Sequence, residues 1–121
     1  MAHPIVHIEL SAHDHQEAAK WYADLFGWPT QEFPDMNYTT FMSGEGAVGG
    51  GFNPVTEQFH AGTVTFYIQT DDLDDHLTRI EAAGGKIAMS GMDVPTVGRL
   101  GFFIDPTGNL IGLLQPEMSD E

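Results

Sequence analysis

Two stretches of this chain begin on an alternating strand and reach a glycine at the same spacing, and this constrains the fold most. From His7 to Gly27 is 20 residues, and from Thr65 to Gly85 is also 20, an offset of 58. Around His7, Val6, Ile8 and Leu10 alternate with Ile5, His7 and Glu9, the period of a strand with one buried and one partly polar face. Asp14 with Glu17 three residues on forms a capping box. Ala18, Trp21, Tyr22, Leu25 and Phe26 then recur at helical spacing, and Gly27 suits the helix C-cap. Trp21 and Phe26 are expected in the core.

After Gly27 the sequence predicts three short strands, Trp28 to Phe33, Tyr38 to Met42 and Ala47 to Phe52, and then a connector from Asn53 to Ala61. The same order follows again. Thr63 to Gln69 is a strand with Val64, Phe66 and Ile68 inward. Asp71 or Asp72 caps a helix carrying Leu73, Leu77, Ile80 and Ala83, which ends at Gly84-Gly85. Lys86 to Met89 is a strand and Ser90 to Val97 a loop. The stretch GFFIDPTGNLIGLLQ (101–115) reads as a closing hairpin, since Asp-Pro-x-Gly-Asn supplies the turn between two apolar runs. Pairing Gly46 with Gly108 gives an offset of 62, which also matches Phe41 with Phe103 and Gly50 with Gly112. The expectation is one domain over 1–121, with module one at 1–57 and module two at 61–117, each of order β-α-β-β-β.

The chain has 18 acids against 4 bases, a net charge of −14. Nucleic-acid backbones need clustered Lys and Arg, so the expected partner is a neutral or cationic small molecule. No run of about 18 apolar residues suggests a membrane span. The N-terminus, MAHPIVHIEL, lacks the pattern of a secretory signal, and a cytoplasmic location is the default. The absence of cysteine removes disulfides, thiolate metal sites and a cysteine nucleophile together.

These features resemble the vicinal oxygen chelate superfamily, which includes glyoxalase I, bleomycin and fosfomycin resistance proteins and extradiol dioxygenases. The residues that carry the resemblance are VHIEL (6–10), AKWYADLFGW (19–28), GGGF (49–52), TDDLDDHLTRIEAAGGK (70–86) and FFIDPTGNLIGLLQP (102–116). It implies an α+β fold in which two tandem β-α-β-β-β modules form a curled mixed sheet around a cleft, often as a homodimer. It also implies metal ligands, usually His and Glu, on the first and fourth strands of each module. Those places fall on His7 and Gly50, and on Thr65 and Gly112. Only His7 has a ligating side chain of the usual kind, and a catalytic divalent site needs about three protein ligands. The expectation is therefore no metal and no cofactor, with the two glycines leaving room for an organic ligand.

The candidate site residues follow from this. His7 can act as acid, base or hydrogen-bond partner, or simply be satisfied by a neighbour. Glu9 points the same way as His7, and burial in an apolar cleft would make it a better base. An acid at an exposed sheet end is the plainer alternative. Arg99, in VPTVGRLGFF, stands at a loop–strand junction like the VPxxGR segments of metal-free relatives. It either faces a ligand oxygen or pairs with one of the acids. Phe52 shares a face with Gly50, and Tyr67 with Thr65, so these two are preferred over Trp28, Phe41 and Phe103 as cleft-lining aromatics.

His13, Asp14 and His15 invite a metal reading, but capping explains Asp14. His60 and His76 carry no argument. The run Gly49-Gly50-Gly51 lies within a strand and marks a bulge or a close approach by ligand or backbone. The functional expectation is a protein that binds a small, mostly apolar or aromatic organic molecule. The alternative is a lyase, isomerase or dioxygenase, either metal-dependent with rearranged ligands or metal-free using His7 and Glu9.

Overall fold

The computed structural model describes residues 2–117. In chain order the elements are β1 (Ile5–Ala12), α1 (His15–Phe26), β2 (Thr30–Phe33), β3 (Tyr38–Met42), β4 (Gly49–Pro54), β5 (Val64–Gln69), α2 (Leu73–Ala82), β6 (Lys86–Val94), β7 (Gly98–Ile104) and β8 (Leu110–Pro116). The fold is α+β, with the order β-α-β-β-β met twice. The chain forms two compact units that divide between Thr65 and Phe66; residues 2–5 belong with the second.

In the first unit the strands lie in the order β2-β3-β4-β1, with β1 parallel to β4 and the other pairs antiparallel. Asp14 caps α1 by accepting from the backbone N–H groups of Gln16 and Glu17, and Gly27 closes it at φ 74°. The helix packs on one face of its sheet through Ala19, against Phe41 and Phe52, with Leu10, Tyr22 and Trp28 beside them. Trp28 stacks on Phe41 with ring centroids 4.6 Å apart. Two expectations fail here: Trp21 and Phe26 are 56% and 61% exposed rather than core. The buried stripe of α1 runs through Ala19 and Tyr22, so the next residues round the helix turn outward.

In the second unit the order is β5-β8-β7-β6, again with a parallel first pair and antiparallel neighbours. The Asp72 carboxylate caps α2 by accepting from the Asp75 N–H. Leu73, Leu77 and Leu113 form the core, joined by Ile68, Ile80, Ile87 and Phe103. Phe103 therefore faces the helix. Lys86 to Val94 is one strand, which corrects the expected loop at Ser90 to Val97. Two register shifts, between Ile87 and Met89 and between Met89 and Met92, let β6 stay paired with β7 through an irregular sequence.

The closing hairpin is built as its sequence indicates. Oδ1 of Asp105 accepts from the backbone N–H groups of Thr107, Gly108 and Asn109, and Oδ2 accepts from the Asn109 side chain. The Asn109 side chain and these N–H groups hold the Asp105 carboxyl below its ordinary pKa. Gly108 adopts φ 115°, a conformation open to glycine at little cost. Among the described residues no helix is long and apolar enough to cross a membrane.

Candidate functional site

In each unit the helix covers one face of the sheet, and the other face holds the candidate chemistry. The parallel register sets His7 against Gly49 and Glu9 against Gly51, with Ile8 against Gly50. Side chains alternate along a strand. His7, Glu9, Gly49 and Gly51 therefore share the face opposite α1, while Ile8, Gly50 and Phe52 share the helix face. A Cβ at Gly50 would run into the Ile8 carbonyl and the Phe41 ring, which is on the helix side. Gly50 therefore sits on the face away from His7, one residue out of the expected alignment. Phe52, 1% exposed, belongs to the core beside Phe41 and Ala19.

Tyr38 completes the cluster on the open side of β1. Its hydroxyl donates to Glu9 Oε2 at 2.7 Å, and His7 Nε2 lies 3.2 Å from the same oxygen and 3.0 Å from the phenol oxygen. Because the phenol proton is spent on Glu9, this network assigns the Nε2–H of His7 as donor to both oxygens. The Glu9 side chain is only 13% exposed and that of His7 28%. Burial of a carboxylate to this extent calls for hydrogen-bond donors, and Tyr38 and His7 supply them. A 3-10 turn at Pro34–Met36, ending in a left-handed Asn37 at φ 55°, starts β3 at Tyr38. Met42, on the same face of β3 as Tyr38, has its sulfur beside Gly49 and is 54% exposed.

In the second unit Tyr67 pairs with Gly112, and Gly112 with Phe102. A Cβ on Gly112 would lie 2.5 Å from Cδ2 of the Tyr67 ring, and that ring meets Phe102 edge-on at 5.5 Å. Tyr67 and Gly112 are thus together on the face opposite α2, and Tyr67 is buried. Thr65 is also buried, and its hydroxyl has no hydrogen-bond partner among the described residues.

Arg99 takes the plainer of its two readings. Its guanidinium lies over Gly91 on the helix side and pairs with Asp93 at 3.2 Å and Asp74 of α2 at 3.4 Å. Its position on β7 shares the face that α2 covers, as the contacts of Gly101 with Leu73 and Leu77 show for the same side of the strand.

The donor set does not fit the three-ligand metal site of the resemblance. His7 and Glu9 are one imidazole and one carboxylate, already hydrogen-bonded to each other and to a phenol. The fourth-strand positions facing them, Gly49 and Gly51, have no donor, and the space over Gly112 is taken by the Tyr67 ring. Among the described residues no group of three His, Cys, Asp or Glu could hold a metal ion. The arrangement can instead present a desolvated carboxylate, flanked by a phenol and an imidazole, to a ligand that carries a hydrogen-bond donor.

Sequence reasoning missed Tyr38 and Gly51. The glycine run did signal a close approach, and the approaching group is the Tyr38 ring.

A family model described as the glyoxalase/bleomycin resistance protein/dioxygenase superfamily matches residues 4–113. The chain is 33% identical over 116 residues to the anthracycline biosynthesis protein DnrV of Streptomyces peucetius, covering 83% of this chain and 42% of that protein. It therefore spans less than half of that relative's length. It is 32% identical to a glyoxylase-like domain-containing protein of Didymella fabae over 109 residues, covering 84% of this chain and 85% of that one. The crystal structure of methylmalonyl-CoA epimerase from Mycobacterium tuberculosis superposes with a TM-score of 0.70 at 17% identity, covering 94% of this chain and 88% of that one.

Proposed function

The chain belongs to the glyoxalase/bleomycin resistance protein/dioxygenase superfamily, and we propose that within it this protein binds a small, mostly apolar or aromatic organic molecule without the superfamily's full metal site. The observation that carries this reading is the His7–Glu9–Tyr38 cluster. Glu9 is the polar anchor. It accepts from a hydroxyl or protonated amine of the ligand, while the phenol and imidazole orient the carboxylate. Met42 supplies a soft apolar wall beside them. The acidic protein, at net −14, favours neutral and cationic ligands over anions. The likeness to a protein named for anthracycline biosynthesis agrees with an aromatic ligand.

The test is binding by the purified protein of two probes, quinizarin, a neutral hydroxylated tricycle, and naphthylmethylamine, a cationic aryl amine. The reading expects at least one to raise the melting temperature, equally with and without EDTA. Stabilisation by neither probe would overturn it, as would stabilisation that EDTA abolishes.

A second reading is favoured by the 2.7 Å contact between the Tyr38 hydroxyl and Glu9. A carboxylate and a phenol in contact can serve as base and acid for a metal-free lyase or isomerase reaction, with His7 holding the pair. Turnover that survives both Glu9→Gln and His7→Ala would dispose of it.

A further inference from the structure

We infer that Gly51 is the positioning residue of the His7–Glu9–Tyr38 cluster, acting by having no side chain where the Tyr38 phenol must cross. The cluster's ligand-binding role rests on the reading above; its assembly does not. Tyr38 starts β3, and its targets lie on β1, two strands away with β4 between them. Two inter-strand spacings are about 9.6 Å, so a phenol reaches β1 only by lying flat over β4. The β4 residue in its path, paired with Glu9, is Gly51. A Cβ there would collide with the Tyr38 hydroxyl and Cζ and come within 2.6 Å of Cε1. The hydroxyl oxygen and Cζ lie on the axis of the ring, so no rotation of the ring about that axis relieves the collision.

Any other residue at position 51 therefore ejects the phenol from Glu9. Glu9 would lose its 2.7 Å donor, and His7 would lose its contact with the phenol oxygen. At Gly50 the nearest obstruction is the Ile8 backbone carbonyl, whereas at Gly51 the three nearest atoms all belong to the Tyr38 side chain. The obstruction at Gly51 can thus be removed by shortening that side chain, which makes the inference testable by compensation.

The experiment compares Gly51→Ala, Tyr38→Phe, Tyr38→Ala and the double variant Gly51→Ala/Tyr38→Ala. The readouts are melting temperature and NMR titration of the His7 imidazole, assigned by its loss in His7→Asn. Gly51→Ala is expected to move the His7 titration midpoint in the same direction as Tyr38→Phe, and to lower the melting temperature by about 5 °C or more. In the Tyr38→Ala background the same alanine should cost about 1 °C or less. A wild-type His7 titration in Gly51→Ala would overturn the inference, as would an equal loss of melting temperature in both backgrounds.

Should Gly51→Ala alone not fold, the double variant decides. If it folds as well as Tyr38→Ala, the inference stands; if it too fails to fold, the inference falls. Absence of probe binding by the wild type would count against the functional reading only, since neither readout here uses a ligand.

Discussion

The two units lay an aromatic ring over a bare glycine of the fourth strand, but they do so from opposite sides. In the first, Tyr38 comes from the third strand, crosses Gly51 and ends on Glu9 and His7 of the first strand. In the second, Tyr67 comes from the first strand, lies over Gly112 and ends on Phe102 of the third. At the offset of 58 that relates Asp14 to Asp72, Tyr67 is the counterpart of Glu9. Gly51 pairs with Glu9 and Gly112 with Tyr67, so Gly51 is the partner of Gly112. One glycine position thus yields a polar cluster in one unit and an aromatic pair in the other. The strand that carries the tyrosine decides which. The His7–Glu9–Tyr38 hydrogen bonds lie in the first unit.

The comparison can be strained first through what the units share, the helix-side core. Phe52→Ala should cost about 3–5 kcal/mol and Leu73→Ala about 2–5 kcal/mol in denaturant unfolding, since both residues are almost wholly buried. A cost under 1 kcal/mol for either would show that its unit does not depend on that core.

Gly112→Ala comes next, at about 1–3 kcal/mol from overpacking against Tyr67. The loss should appear in denaturant unfolding, because the added Cβ would meet the Tyr67 ring. No measurable cost would show that this ring does not need the bare glycine beneath it.

Tyr38→Phe removes one donor from a largely buried carboxylate and should cost about 1–3 kcal/mol by chemical denaturation. No measurable cost would mean that the phenol is not what satisfies Glu9.

The turns preceding the fourth strands differ as well. The Asp105 carboxylate organises the second unit's turn, whereas in the first Ser43 donates to the Val48 carbonyl. The folded Asp105 pKa is depressed below the ordinary 3.8, so its contribution is present above that value and lost as pH falls through the folded one. The melting-temperature gap between wild type and Asp105→Ala should be constant near neutrality and close below about pH 4. A gap that persists unchanged in acid would contradict the capping role.

The smallest effect belongs to Arg99→Gln, which removes two partly exposed ion pairs and should cost about 0–1 kcal/mol. A large loss of probe binding in this variant would return Arg99 to the site.

The order of elements, both Asp caps, Gly27 and the Asp105 turn were legible because each depends on residues near one another in sequence. The side assigned to His7 and Glu9 was legible from alternation alone. Gly50 was misplaced because an offset of 62 fits the third strands but not the fourth: the parallel pairings give Gly51 and Gly112, an offset of 61. Pairing register is set by partners distant in sequence, and a slip of one residue turns every side chain to the other face. Phe52 inherited that slip. Tyr38 was invisible for a related reason, since its role depends on a residue of one neighbouring strand and a target on the strand beyond. Trp21 and Phe26 matched a helical period, yet periodicity does not fix how wide a stripe the sheet covers.

The most direct test of the account is calorimetric titration of naphthylmethylamine and quinizarin into the wild type and Glu9→Gln. The account expects wild-type binding of at least one probe, weakened about tenfold or more in Glu9→Gln, as for loss of a charged hydrogen-bond partner. Equal affinity in the two proteins would contradict it, because the ligand would then be held without the carboxylate that Tyr38 and His7 keep in place.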